Sequence, residues 1–172
     1  ETGLPPAEVD ASGEDKTTLS ADAHFRRGIR YVSKGRFKKA AAAYRKAISI
    51  NPKFANAHDN LGSALSSLGD FDGAIASYKQ ALSLDPKYPS GHFLVGSALK
   101  QKGDLNGAIA SFQRAISLDP NNADAHFNLG ATLHQKGDLN GAIASCQQAL
   151  SLNPNHASAK MGLEQMIAAL QT

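Results

Sequence analysis

Cysteine is almost absent from this 172-residue chain: Cys146 stands alone, which excludes an internal disulfide and a cysteine-rich metal site. Tryptophan is missing, aromatic residues make up 6%, and β-branched residues are scarce, with 3 Val, 8 Ile and 5 Thr against 29 Ala. Because β-branched side chains are the main strand formers and Ala the best helix former, an all-β fold is excluded and helices are favoured. The longest uncharged run, 139–159, contains Asn140, Gln147, Gln148, Asn153, Pro154 and Asn155. It is too polar for a bilayer span of about 20 apolar residues, so no membrane helix is expected. No Asn-x-Ser/Thr acceptor occurs, and with a single cysteine this leans the chain toward an intracellular location. The first residue is Glu1 rather than Met, with no leader pattern ahead of it. A processed or trimmed product is expected, and Glu1-Thr2-Gly3, similar to a cloning remnant, is set apart from the fold.

What is present is 42% hydrophobic residues and 19% charged ones, ordinary for one globular domain, with a net charge of +3 that is unevenly spread. Residues 1–20 carry Glu1, Glu8, Asp10, Glu14 and Asp15 against Lys16, together with Pro5, Pro6 and Gly13. Such a segment cannot offset its ordering entropy by burial, so an acidic disordered tail is expected there. Residues 21–54 reverse the sign, with ten bases against Asp22. Arg26, Arg30 and Lys34 fall at i, i+4 and i+8 and share one helical stripe, which Lys38 and Lys39 extend into a basic patch.

The dominant pattern is an internal repeat. Pro52, Pro86, Pro120 and Pro154 recur at a fixed period, and GDFDGAIASY (69–78) returns as GDLNGAIASF (103–112) and GDLNGAIASC (137–146). Four units follow, 21–54, 55–88, 89–122 and 123–156, then a final segment, 157–172. Each unit reads as two helices. In the second, Ala57, Leu61, Ala64, Leu65 and Leu68 recur at helical spacing, Gly69 supplies a left-handed stop, and Asp70 is placed to cap the next helix. Ala74, Ile75, Tyr78, Ala81 and Leu82 form the next apolar stripe, and Asp85-Pro86 ends it. Helices this short are marginal alone, so they must stack on neighbours.

These residues resemble the tetratricopeptide repeat (TPR) family, whose pattern is Trp-x2-Leu-Gly-x2-Tyr, then Ala-x3-Phe, then Pro. The second unit offers His58, Leu61, Gly62, Leu65, Ala74, Tyr78, Ala81 and Pro86; the third His92, Val95, Gly96, Leu99, Ala108, Phe112, Ala115 and Pro120. The fourth has His126, Leu129, Gly130, Leu133, Ala142, Cys146, Ala149 and Pro154, and the first His24, Arg27, Gly28, Tyr31, Ala40, Tyr44, Ala47 and Pro52. The resemblance implies an all-α, right-handed superhelical solenoid of four helix-turn-helix repeats. In 157–172 Lys160 and Glu164 replace the His and Gly, while Leu163, Ile167 and Leu170 keep an apolar face, so a solvating capping helix is expected there.

Motifs for chemistry are scarce. Ser97-Ala98-Leu99-Lys100 matches Ser-x-x-Lys without that enzyme class's companion motifs, and Cys146 occupies an aromatic core position of its repeat. The His24, His58, His92 and His126 ladder cannot share a zinc, because equivalent positions in stacked helices lie on the order of 10 Å apart. No catalytic residue, metal or cofactor is expected.

In TPR proteins the first helices of the repeats line a concave groove. By resemblance, one row runs Phe25, Asp59, Phe93, Phe127 and Met161, and the next Arg26, Asn60, Leu94, Asn128 and Gly162; Lys100 and His134 lie further along. Phe and Leu beside Asn suit an extended peptide, so Asn60, Phe93, Leu94, Lys100, Phe127, Asn128 and His134 are the candidate groove residues. The carboxylate clamp of chaperone-associated members is disfavoured, since its positions hold Phe25, Ile29, Asn60, Ser90 and Leu94, a single match. The implied function is a scaffold, adaptor or assembly factor that binds a partner protein. The alternatives are a targeting or regulatory module of a larger enzyme, and capture of an acidic partner by the basic first repeat. Nucleic acid is disfavoured, because Tyr31 and Tyr44 are committed to core positions and cannot act as stacking platforms.

Overall fold

The computed structural model describes residues 19–169. The acidic segment expected at 1–20 therefore lies outside them but for Leu19 and Ser20, as does Leu170. Among the described residues there are nine helices: α1 (Ala21–Val32), α2 (Phe37–Ile50), α3 (Ala55–Ser67), α4 (Phe71–Leu84), α5 (Pro89–Lys102), α6 (Leu105–Leu118), α7 (Ala123–Lys136), α8 (Leu139–Leu152) and α9 (Ala157–Ala169). Each packs on the next in chain order. No helix among the described residues is long and apolar enough to cross a membrane.

The punctuation between helices has a local physical cause at every step. Gly35, Gly69, Gly103 and Gly137 all take positive φ, the left-handed turn that costs glycine nothing sterically. Asp70, Asp104 and Asp138 then accept hydrogen bonds from the backbone N–H groups of Gly73, Gly107 and Gly141, each at 2.9 Å, capping α4, α6 and α8. At the far end of α2, α4, α6 and α8 the residue before Pro does more than obey the proline's steric limit. Asn51, Asp85, Asp119 and Asn153 each accept from the N–H two residues on, at 3.1–3.2 Å, and so build the turn into the next repeat.

The ladder histidines tie that turn to the helix that follows. His58 Nε2 lies 2.9 Å from the Pro52 carbonyl and His126 Nε2 3.1 Å from that of Pro120. Burial holds His92 below the ordinary histidine value of 6.5; the Pro86 carbonyl opposes this, and Arg114 adds to it. Folding thus disfavours protonation of His92. Below 6.5 the unfolded chain binds more protons than the folded one, so stability that is complete above 6.5 falls as the pH falls. We expect the melting temperature to drop on acidification from about pH 7.5 to about 5.5, and to drop less in His92→Gln. Equal pH profiles for the two proteins would remove His92 from this account.

The core runs through the array as three linked clusters. Tyr44, Leu61, Leu65, Ile75, Tyr78 and Val95 fill the first, Ala108, Phe112 and Leu129 the second, and Ala142, Cys146 and Met166 the third. Small residues set the helix separation: a Cβ placed on Gly62 would lie 2.6 Å from the Tyr78 ring, and one on Gly96 2.9 Å from Phe112. One expectation is corrected at α9. Its inward face consists of Ala159, Leu163 and Met166, whereas Ile167 is exposed. Residues 159, 163 and 166 are also at helical spacing, and the flexible Met fills the gap against α8 that Ile167 was expected to fill.

Candidate functional site

Helices α5 and α7 touch directly, as do α7 and α9. These are first helices of successive repeats, on the side where the resemblance places a groove. Clefts open along this inner face between successive first helices. One of about 170 Å³ lies between the first repeat and α3, lined by Ile29, Val32, Tyr44, Asn60 and Ser63. A second, of about 390 Å³, lies between α5 and α7 and is lined by Ser97, Lys100, Gln101, Asn128 and Gln135. A third, of about 340 Å³, lies between α7 and α9 and takes in Phe127, His134, Met161, Gln165 and Met166.

The candidate residues are thus sorted by the fold. Lys100 and Asn128 share the middle cleft, Phe127 and His134 share the third, and Asn60 belongs to the first. Phe93 and Leu94 line none of the three; they are half-buried and pack on the core, Phe93 with its ring 5.7 Å from that of Phe112. Phe127 also packs on the core and lies 5.0 Å from the His156 ring. Both candidate phenylalanines are thus part of the core packing, and of the two Phe127 also lines a cleft. Asn128 donates from Nδ2 to the Asp124 carbonyl at 2.9 Å, which leaves its oxygen to accept from a ligand.

Two half-buried charged groups, Asp59 of the first groove row and Lys100 of the middle cleft, stand out by lacking partners among the described residues. Asp59, half-buried on α3, accepts no hydrogen bond among the described residues, and its Oδ1 is buried without a donor. Burial pushes its carboxyl above the usual aspartate range. Lys100, half-buried on α5, has no carboxylate within ion-pair distance among the described residues, and burial holds its ammonium below the ordinary lysine value. Sequence reasoning singled out Lys100 but passed over Asp59 as a functional group. The signal available was its place in the row, where Phe25, Phe93 and Phe127 stand at the equivalent positions.

The basic residues of the first repeat lie at its surface. Arg26, Arg30, Lys34, Lys38 and Lys39 are all exposed, and none forms an ion pair among the described residues. Of the five, Lys39 borders a cleft of about 260 Å³ with His24, Arg27, Tyr31 and Lys46, and the other four lie outside it. Arg27 is committed locally, donating from Nε to the Tyr31 hydroxyl at 3.2 Å. Cys146 is buried, which raises its thiol pKa and keeps it from acting as a ready nucleophile. Among the described residues no three His, Cys, Asp or Glu side chains gather as a metal site would require.

Comparison with known proteins agrees with this architecture. A family model described as TPR repeat matches residues 28–69, 62–102 and 96–137, and one described as tetratricopeptide repeat matches 123–156. No curated protein sequence matches the chain. Among solved structures, MamA is 27% identical, with a TM-score of 0.79 and 84% of each chain covered. YrrB, described as a TPR protein with an unusual peptide-binding site, is 26% identical with a TM-score of 0.78, over 84% of this chain and 74% of its own. MamA from Desulfovibrio magneticus RS-1 superposes with a TM-score of 0.82 over 88% of this chain and 85% of its own; at 20% identity it speaks for the fold alone.

Proposed function

The chain belongs to the tetratricopeptide repeat family, and on that basis we propose that it is a non-catalytic scaffold or adaptor that holds an extended segment of a partner protein in its inner groove. The observation that carries this reading is the middle cleft. Its lining of Ser97, Lys100, Gln101, Asn128 and Gln135 is made wholly of hydrogen-bonding side chains, and the cleft on the other side of α7 takes in Phe127, Met161 and Met166, which offer apolar surface. An extended peptide needs both, because its backbone must find donors and acceptors while its side chains find anchors. YrrB, similar in fold, is described as a TPR protein with an unusual peptide-binding site, which supports peptide binding here.

Peptides selected from a random dodecamer display library on the purified chain provide the test. Asn128→Ala is expected to weaken their binding by about 1 to 3 kcal/mol, the range of interface hot spots, while Lys79→Ala on the exposed side of α4 leaves it unchanged. Asn128 is preferred to Phe127 for this purpose because Phe127→Ala would also remove core packing. If the selected peptides ignore Asn128→Ala and are released by Arg26→Glu with Arg30→Glu, the exposed basic face is the working surface and the groove is not.

A further inference from the structure

We infer that the groove reads charge order, taking a partner segment in which a basic side chain meets Asp59 and an acidic side chain, about four residues away, meets Lys100. This rests on the groove as the peptide site and adds the chemistry of the peptide. Asp59 first has to be explained. At its repeat position Phe25 packs 5.8 Å from the Tyr44 ring and 4.8 Å from Phe54, and Phe93 packs on Phe112. The repeat's own packing therefore calls for an aromatic ring at this place. An aspartate there forfeits that contact and sets a half-buried carboxylate beside Tyr78, whose hydroxyl is already donated to Ser63 Oγ at 3.2 Å. A charge desolvated without a partner costs stability, and departures from otherwise consistent packing concentrate at functional sites.

Lys100 shows the same feature with the opposite sign. Nearby Lys102, exposed at the end of α5, finds Asp72 at 2.6 Å. Lys100 is instead held half-buried among the neutral groups of Ser97, Gln101, Asn128 and Gln135, with no anion. Those side chains can orient a carboxylate that the lysine attracts, but none of them neutralises the ammonium.

The two unpaired charges sit on adjacent first helices, α3 and α5. Such helices lie on the order of 10 Å apart, and Lys100 stands seven positions further along its repeat than Asp59 does, which adds about 10 Å at the helical rise. The diagonal is about 14 Å, spanned by about four residues of extended chain at about 3.3 Å each.

The library-selected dodecamers test this directly when the selection is run in parallel on the unmodified chain, Asp59→Asn and Lys100→Gln, with helical signal checked in each. On the unmodified chain, enriched peptides should carry Lys or Arg together with Asp or Glu, most often separated by about four residues. Asp59→Asn should abolish the enrichment of bases and keep that of acids, and Lys100→Gln the reverse. Each should weaken a peptide selected on the unmodified chain by about ten-fold or more. Asp59→Phe, which restores the aromatic row, should raise the melting temperature while losing the same peptides. If selected peptides depend on Asn128 yet show no paired charges, or bind Asp59→Asn and Lys100→Gln as well as the unmodified chain, the charge-order inference is overturned and the groove stands. If they are indifferent to Asn128 too, the groove reading falls with it.

Discussion

Phe112→Ala is expected to lower the unfolding free energy by about 3 to 5 kcal/mol, the range for deleting a buried aromatic ring. Phe112 is fully buried between the two helices of its repeat. It forms the second cluster with Ala108 and Leu129, Phe93 packs on its ring, and the approach of α5 to α6 is fitted around it at Gly96. Removing the ring leaves a cavity that neither helix can close, because each is also held by its other neighbour. The same repeat position in the next unit is filled by Cys146, equally buried but far smaller, so Cys146→Ala deletes one sulfur atom and should cost much less. Urea unfolding followed by circular dichroism measures both. A loss under about 1 kcal/mol for Phe112→Ala would be a surface-like effect and would contradict the core assignment.

The second large effect has a sign that separates two physical causes. Helix propensity alone says that Gly62→Ala should stabilise α3 by about 1 kcal/mol. Packing says the opposite: the new Cβ would lie 2.6 Å from the Tyr78 ring, which is itself buried and hydrogen-bonded to Ser63. Overpacking of this kind costs about 1 to 3 kcal/mol, and we expect it to win. Gly162→Ala serves as the internal control. Gly162 lies in α9, where the nearest atom to an added Cβ is 3.9 Å away on Phe127, an ordinary contact. There propensity should prevail and the chain should become more stable. If both substitutions stabilise, the close approach of α3 to α4 is not what fixes glycine at position 62.

Much of this architecture could be read from the sequence because it is local. Helix periodicity, a left-handed glycine, an aspartate three residues before the N–H it caps, and Asn or Asp before Pro all act within a few residues, and the repeat states each of them several times. What depends on contacts between helices was less legible. The sequence shows the histidine ladder and denies it a shared zinc, but the bond of His58 and His126 to a carbonyl six residues earlier is seen only once the turn is folded. Phe93 and Phe127 were placed on the groove, yet a helical position does not tell how a ring divides itself between groove and core. In α9 the larger Ile167 outweighed Ala159 and Met166 in the hydrophobic pattern, although Met166 is the side chain that the third cluster accommodates. Asp59 left a mark in the sequence, as the one acid in a row of apolar residues, but only its missing hydrogen-bond partner gives that substitution a meaning.

The groove is the centre of this account, and amide chemical shifts on titration with a library-selected peptide test it most directly. The largest changes should fall on the inner face of α3, α5 and α7, including the side-chain amides of Asn60, Gln101 and Asn128, with Lys79 and its neighbours on α4 unmoved. Changes confined to Arg26, Arg30, Lys34, Lys38 and Lys39, with the side-chain amides of the middle cleft silent, would contradict it.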